Sequence, residues 1–61
     1  MNKPEITLRW CYTSGQDYEF HSSDSAQVGQ LYRLKILESQ VIKVEVIKDG
    51  ITVIEWSKEN E

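Results

Sequence analysis

Cysteine, histidine and proline each occur once in this chain, and glycine three times. A lone Cys11 excludes an internal disulfide. Cys11 and His21 together make two soft or borderline metal ligands where structural zinc needs four. Asp49-Gly50 and Ser14-Gly15 read as turns, and no glycine-rich phosphate loop is present. No stretch approaches the ~20 apolar residues of a membrane span, and the opening MNKPEITLRW has no apolar run of signal-peptide length. A free thiol fits a reducing compartment, so the expectation is a soluble cytoplasmic protein. Basic charge is also short: 7 Lys and Arg stand against 10 Asp and Glu, for a net charge of −3. Phosphate contacts need an excess of cations, so this balance disfavours a nucleic-acid binder.

What is present points to one small domain spanning residues 1–61. A chain this short buries only about 60% of its unfolded surface, so its stability is expected to be marginal. The 39% hydrophobic and 28% charged content fits a globular fold better than disorder.

The most ordered-looking stretch is VIKVEVIKDGITVIEW, residues 41–56. A two-residue loop at Asp49-Gly50 would set Val44 opposite Glu55. A three-residue loop, Lys48-Asp49-Gly50, sets Ile42 opposite Trp56, Val44 opposite Ile54, Val46 opposite Thr52 and Lys43 opposite Glu55. The second register unites the apolar residues and pairs opposite charges, so pattern favours it. The N-terminal part repeats the device. A three-residue loop Thr13-Ser14-Gly15 pairs Trp10 with Tyr18, Leu8 with Phe20 and Arg9 with Glu19.

Between the hairpins, Asp24 is an N-cap candidate, with Gln27 completing a capping-box pattern. A helix over about 25–39 stacks Val28, Leu31, Leu34 and Leu37 along a drifting stripe, leaving Tyr32 and Ile36 off it. A strand through YRLKIL is the rival, since that segment alternates. The helix is preferred because an apolar sheet face needs a cover. The expected fold is α+β, ββαββ: hairpin 5–22, helix about 25–39 and hairpin 41–57 in one antiparallel sheet. Ile6, Leu8, Trp10, Phe20, Ile42, Val44, Val46, Ile54 and Trp56 form its inner face. The two ends, MNKP and WSKENE, are expected to fray.

None of the chemistry-bearing residues assembles into a catalytic motif. Cys11 faces Asp17, whose charge works against a thiolate. Asp17, Glu19 and His21 share a strand face and read as a solvated surface with Arg9 neutralising Glu19. No enzyme activity, cofactor or metal is expected. The least ordinary feature is the outer face of the second hairpin, where Val41, Ile47, Ile51 and Val53 expose more apolar surface than a monomer needs.

The segments LRWCYTSGQDYEF, SSDSA and VEVIKDGITVIEW together resemble the small ββαββ accessory proteins of Gram-positive phages and mobile elements. Some of those are inhibitors of host defence, including anti-CRISPR proteins. The resemblance implies a short, acidic, non-catalytic inhibitor and transfers no functional residue.

The leading expectation is a protein-binding module that docks on a host protein or forms a homodimer. Val41, Ile47, Ile51 and Val53 would be its apolar centre, with Lys43, Glu45 and Glu55 as polar rim. Two alternatives stand beside it. One is a nucleic-acid-associated module using Arg9, Arg33 and Lys35. The other is an acidic nucleic-acid mimic using Asp17, Glu19, Asp24, Glu55, Glu59 and Glu61.

Overall fold

A computed structural model describes residues 5–58. The chain runs β1 (Ile6–Tyr12), β2 (Asp17–Ser22), α1 (Ser25–Leu37), β3 (Val41–Lys48) and β4 (Ile51–Ser57). The four strands form one antiparallel sheet in the order β2-β1-β3-β4. The expected α+β, ββαββ architecture is present, with one helix on one face of the sheet. Residues 1–4 and 59–61, the outer parts of the ends expected to fray, lie outside the described residues; Trp56 and Ser57 belong to β4.

The first hairpin adopts the expected register, Leu8 opposite Phe20, Arg9 opposite Glu19 and Trp10 opposite Tyr18. Its loop closes through Tyr12 N–H donating to Gln16 O at 2.8 Å, and Gly15 takes a φ of 96°, which glycine reaches without steric cost.

The second hairpin differs from expectation. Its loop has two residues, Asp49 and Gly50, both left-handed with φ of 55° and 75°. Positive φ at both central positions is the type I′ geometry, whose twist matches that of the flanking strands. Lys48 then pairs with Ile51 and Ile47 with Thr52. Beyond them Val46 pairs with Ile54, which makes Val53 an extra, bulged residue. The bulge restores the alternation that a two-residue loop would have lost. Val44 faces Trp56, not Ile54, and Lys43 faces Ser57, not Glu55.

A second bulge lies between β1 and β3. Cys11 pairs with Lys43 but Tyr12 pairs with Val41, so Ile42 is the extra residue there. This reverses an expectation: Val41, assigned to the outer face, is fully buried, whereas Ile42, assigned to the core, is only partly buried. An inserted residue re-aims the side chains that follow it.

The core comprises Ile6, Leu8, Val28, Val41, Val44 and Val46, with Trp10, Tyr12, Phe20, Leu31, Tyr32, Ile36 and Trp56 packed around it. Asp24 caps α1, its carboxylate accepting from Ala26 N–H at 3.0 Å and Gln27 N–H at 3.3 Å. The reciprocal half of the capping box falls to Ser22, whose Oγ accepts from Asp24 N–H and donates to Gln27 Oε1. The helix ends at Leu37, two residues short of expectation. Its buried side is Val28, Leu31, Tyr32, Lys35 and Ile36, the i, i+3, i+4, i+7, i+8 pattern of an amphipathic helix. Leu34 and Leu37, expected on that side, are exposed. Lys35 belongs to the seam because its stem lies along apolar surface while its ammonium sits 4.6 Å over the Trp10 ring and 3.1 Å from Glu38 Oε2.

Candidate functional site

Pairing sorts the sheet residues into rows that share a face. On the helix side run Ser22–Ile6–Lys48–Ile51, Phe20–Leu8–Val46–Ile54 and Tyr18–Trp10–Val44–Trp56. On the open side run His21–Thr7–Ile47–Thr52, Glu19–Arg9–Glu45–Glu55 and Asp17–Cys11–Lys43–Ser57.

The open side is a lattice of opposed charges. Arg9 Nη2 donates to Glu19 Oε2 at 3.0 Å, and Arg9 Nη1 stands 4.0 Å from Glu45. Glu19 Oε1 also meets His21 Nε2 at 3.2 Å, and His21 Nδ1 lies 3.0 Å from Thr7 Oγ1. Glu45 faces Glu55, and Lys43 stands beside both at 3.5 and 3.6 Å. The Arg9 hydrogen bond holds the Glu19 carboxyl below the usual carboxylate range, and Glu19 in turn raises the Arg9 guanidinium. The charge of Glu45 lifts the Lys43 ammonium above its ordinary value. Any stability that Glu19 adds is therefore present above its unfolded pKa and lost as pH falls through its lowered folded pKa.

These pairings bear on the two electrostatic readings. Arg9 lies on the sheet face opposite the helix that carries Arg33 and Lys35, so the basic trio is not brought together. Asp17, Glu19 and Glu55 alternate with Arg9 and Lys43, and Asp24 is spent on the helix cap. Glu59 and Glu61 lie outside the described residues. Among the described residues no group of three His, Cys, Asp or Glu side chains is placed to hold a metal ion. Nor, among them, is any helix long and apolar enough to cross a membrane.

The apolar quartet expected on one outer face is divided. Val41 is in the core, and only Ile47 points to the open side, half-buried in the Thr7–Thr52 row. Ile51 shares its row with the core residue Ile6, so it faces the helix side. The bulged Val53 and its neighbour Ile54 line the same groove as Val28 and Tyr32 of α1. Lys43, Glu45 and Glu55, the expected rim, belong to the open face and do not surround Ile51 and Val53.

The strip nevertheless stays open, for a topological reason. Helix α1 packs chiefly on β3 and β1 and scarcely reaches the edge strand β4. Ile51, Val53 and Ile54 are consequently 65%, 53% and 44% exposed. Between them and the helix runs a groove of about 200 Å³, walled by Ile6, Val28, Gly29, Tyr32, Val46, Val53 and Ile54, with Ser25 and Lys48 as its polar members. Ile54, expected in the core, is instead an exposed member of this strip, and neither it nor the helix wall was among the expected site residues. The signal available was the isolated Gly29, which costs a helix about 1 kcal/mol against alanine. A Cβ built at Gly29 meets nothing within 4 Å, so close packing does not demand the glycine.

No protein-family model, curated protein or solved structure matches this chain.

Proposed function

We propose that this chain is a non-enzymatic protein-binding module that docks on another protein through the strip Ile51, Val53 and Ile54 and the groove beside α1. The observation that carries this reading is the exposure of those three apolar side chains along one edge strand that the helix leaves bare. Adjacent apolar side chains left open on so small a domain are characteristic of an interface. The occupant is an extended apolar segment of a different protein that is basic overall, which the net charge of −3 steers in where a second copy of this chain is repelled, and that sets an acidic side chain against Lys48, the charged member of the groove. The open backbone of an edge strand suits such a segment, which can add to the sheet while one side chain enters the groove. The finer reading, an inhibitor or adaptor of the anti-CRISPR kind, rests on the resemblance to phage accessory proteins.

The double substitution Ile51→Lys with Val53→Lys tests the reading. Both side chains are more than half exposed, so the circular dichroism spectrum and a cooperative melt should persist. Capture of a defined partner should be lost, because a charge at an interface centre must be desolvated. A folded double variant that still captures the same partner would defeat the proposal. Concentration-dependent self-association of the wild type, lost in the double variant, would replace it with a homodimer.

Gly29→Ala separates folding from binding at the same place. The added methyl has open space and improves helix propensity by about 1 kcal/mol. The thermal midpoint should rise while partner affinity falls, because the methyl occupies the groove. Unchanged affinity would show that the groove is not used.

A further inference from the structure

The sheet has a second edge, β2, which pairs with β1 on one side only. Hydrogen-bonded and non-hydrogen-bonded pairs alternate along an antiparallel ladder. The first hairpin closes with Tyr12 N–H donating to Gln16 O, so the bonded pairs beyond it are Trp10–Tyr18, Leu8–Phe20 and Ile6–Ser22. The N–H and C=O groups of Asp17, Glu19 and His21 therefore turn away from β1 and stand open at the edge. Bulges, proline and lysine commonly blunt such an edge. β2 keeps its register without a bulge and holds neither of those residues.

A strand laid along β2 meets a different chemistry on each face. On the helix side, Phe20, Leu31 and Leu34 wall a groove of about 240 Å³, with Gln27 and Gln30 as its polar members. A residue directly opposite Phe20 forms a non-hydrogen-bonded pair, where side chains stand closest. It enters this groove, which holds no charged side chain and suits a large aliphatic one. On the open side, the edge presents Asp17 and Glu19. Arg9 and Lys43 pair with Glu19, Glu45 and Glu55, and among the described residues they leave Asp17 without an ion pair. Opposite charges directly across a ladder stabilise it and like charges oppose it. The positions facing Asp17 and Glu19 therefore call for cations.

We infer that β2 binds an antiparallel strand of a different, basic protein, ordered aliphatic, cation, any residue, cation. The aliphatic residue lies opposite Phe20, the first cation opposite Glu19 and the second opposite Asp17. Main-chain hydrogen bonds at Asp17, Glu19 and His21 hold the strand, and the groove and the two carboxylates select it. An acidic strand is refused at the same two positions. β1 and β3 separate this edge from β4. The site thus goes beyond the docking strip, and the sheet can hold one strand at each edge.

The test is a titration of the full chain with the peptide acetyl-Ser-Thr-Ile-Lys-Thr-Arg-Ser-amide, followed by solution NMR and amide hydrogen exchange. The Asp17, Glu19 and His21 amides should shift saturably and exchange more slowly, and the Val53 and Ile54 amides should not move. Methylating the peptide nitrogen of Lys should abolish binding, because that N–H points at β2. Methylating the nitrogen of Ile should be tolerated, because that N–H points away. A peptide with Glu and Asp in place of Lys and Arg should not bind. Asp17 is exposed and Leu34 is 60% exposed, so Asp17→Lys and Leu34→Asp should stay folded and each weaken binding about tenfold or more. The proposal is overturned by absence of saturable shifts at millimolar peptide, or by shifts confined to β4. Undiminished binding of the Lys-methylated or the acidic peptide, or wild-type affinity in a folded Asp17→Lys, would overturn it too.

Discussion

Val41→Asp should abolish the native state, and Ile42→Asp should not. Val41 is fully buried among core side chains and pairs with Tyr12. Aspartate there forfeits about 1.5–3 kcal/mol of apolar burial and adds a desolvated carboxyl worth several kcal/mol more, even when it takes up a proton. At ordinary per-residue stability, a domain of this size holds about 3–9 kcal/mol in total. The variant should therefore show no cooperative urea transition at neutral pH. Ile42 is the bulged residue and only partly buried, so an aspartate there keeps access to water and a cooperative transition should remain. Strict alternation ranks the two positions the other way round. An unfolded Ile42→Asp beside a stable Val41→Asp would remove the bulge between Cys11 and Tyr12.

That contrast marks where the fold was legible in the residues. Turn chemistry and period-two alternation located all four strands, and a single register for the first hairpin followed from its side chains. Bulges are what alternation cannot reveal, because an extra residue is defined by two strands together and by neither alone. The second hairpin shows how this misleads. Pattern matching chose a longer loop to bring the apolar residues onto one face, whereas the chain kept the tight Asp49-Gly50 turn and corrected its faces at Val53. Both solutions put Val44 and Val46 inside with different partners, whereas Ile42 and Ile54, expected inside, are partly buried and exposed respectively. The candidate site depended on the detail that was lost. Val53 reaches the helix side only because it is bulged, and Ile51 only because the loop is one residue shorter. Strand order was also beyond reach of the sequence, and it is strand order that leaves β4 outside the cover of α1.

Leu8→Ala should cost about 2–5 kcal/mol, the usual range for a buried leucine truncated in a packed core, and Leu37→Ala should stay within about 0.5 kcal/mol. Leu8 has no exposed surface and sits in the row Phe20–Leu8–Val46–Ile54, the side of the sheet that α1 covers. Leu37 is 79% exposed in the last turn of the helix. The two are chemically identical, and a sequence stripe of Val28, Leu31, Leu34 and Leu37 makes Leu37 a core residue. Helix geometry explains why it is not. Each residue turns the helix by about 100°, so the nine-residue span from Val28 to Leu37 ends roughly half a turn away from its start. With Val28 buried, Leu37 must point outward, and the seam passes instead to Tyr32, Lys35 and Ile36. Urea titrations compared at a common m-value decide the matter. Equal losses at Leu8 and Leu37 would mean that α1 is rotated about its axis, and with it the groove beside β4 would lose its helical wall.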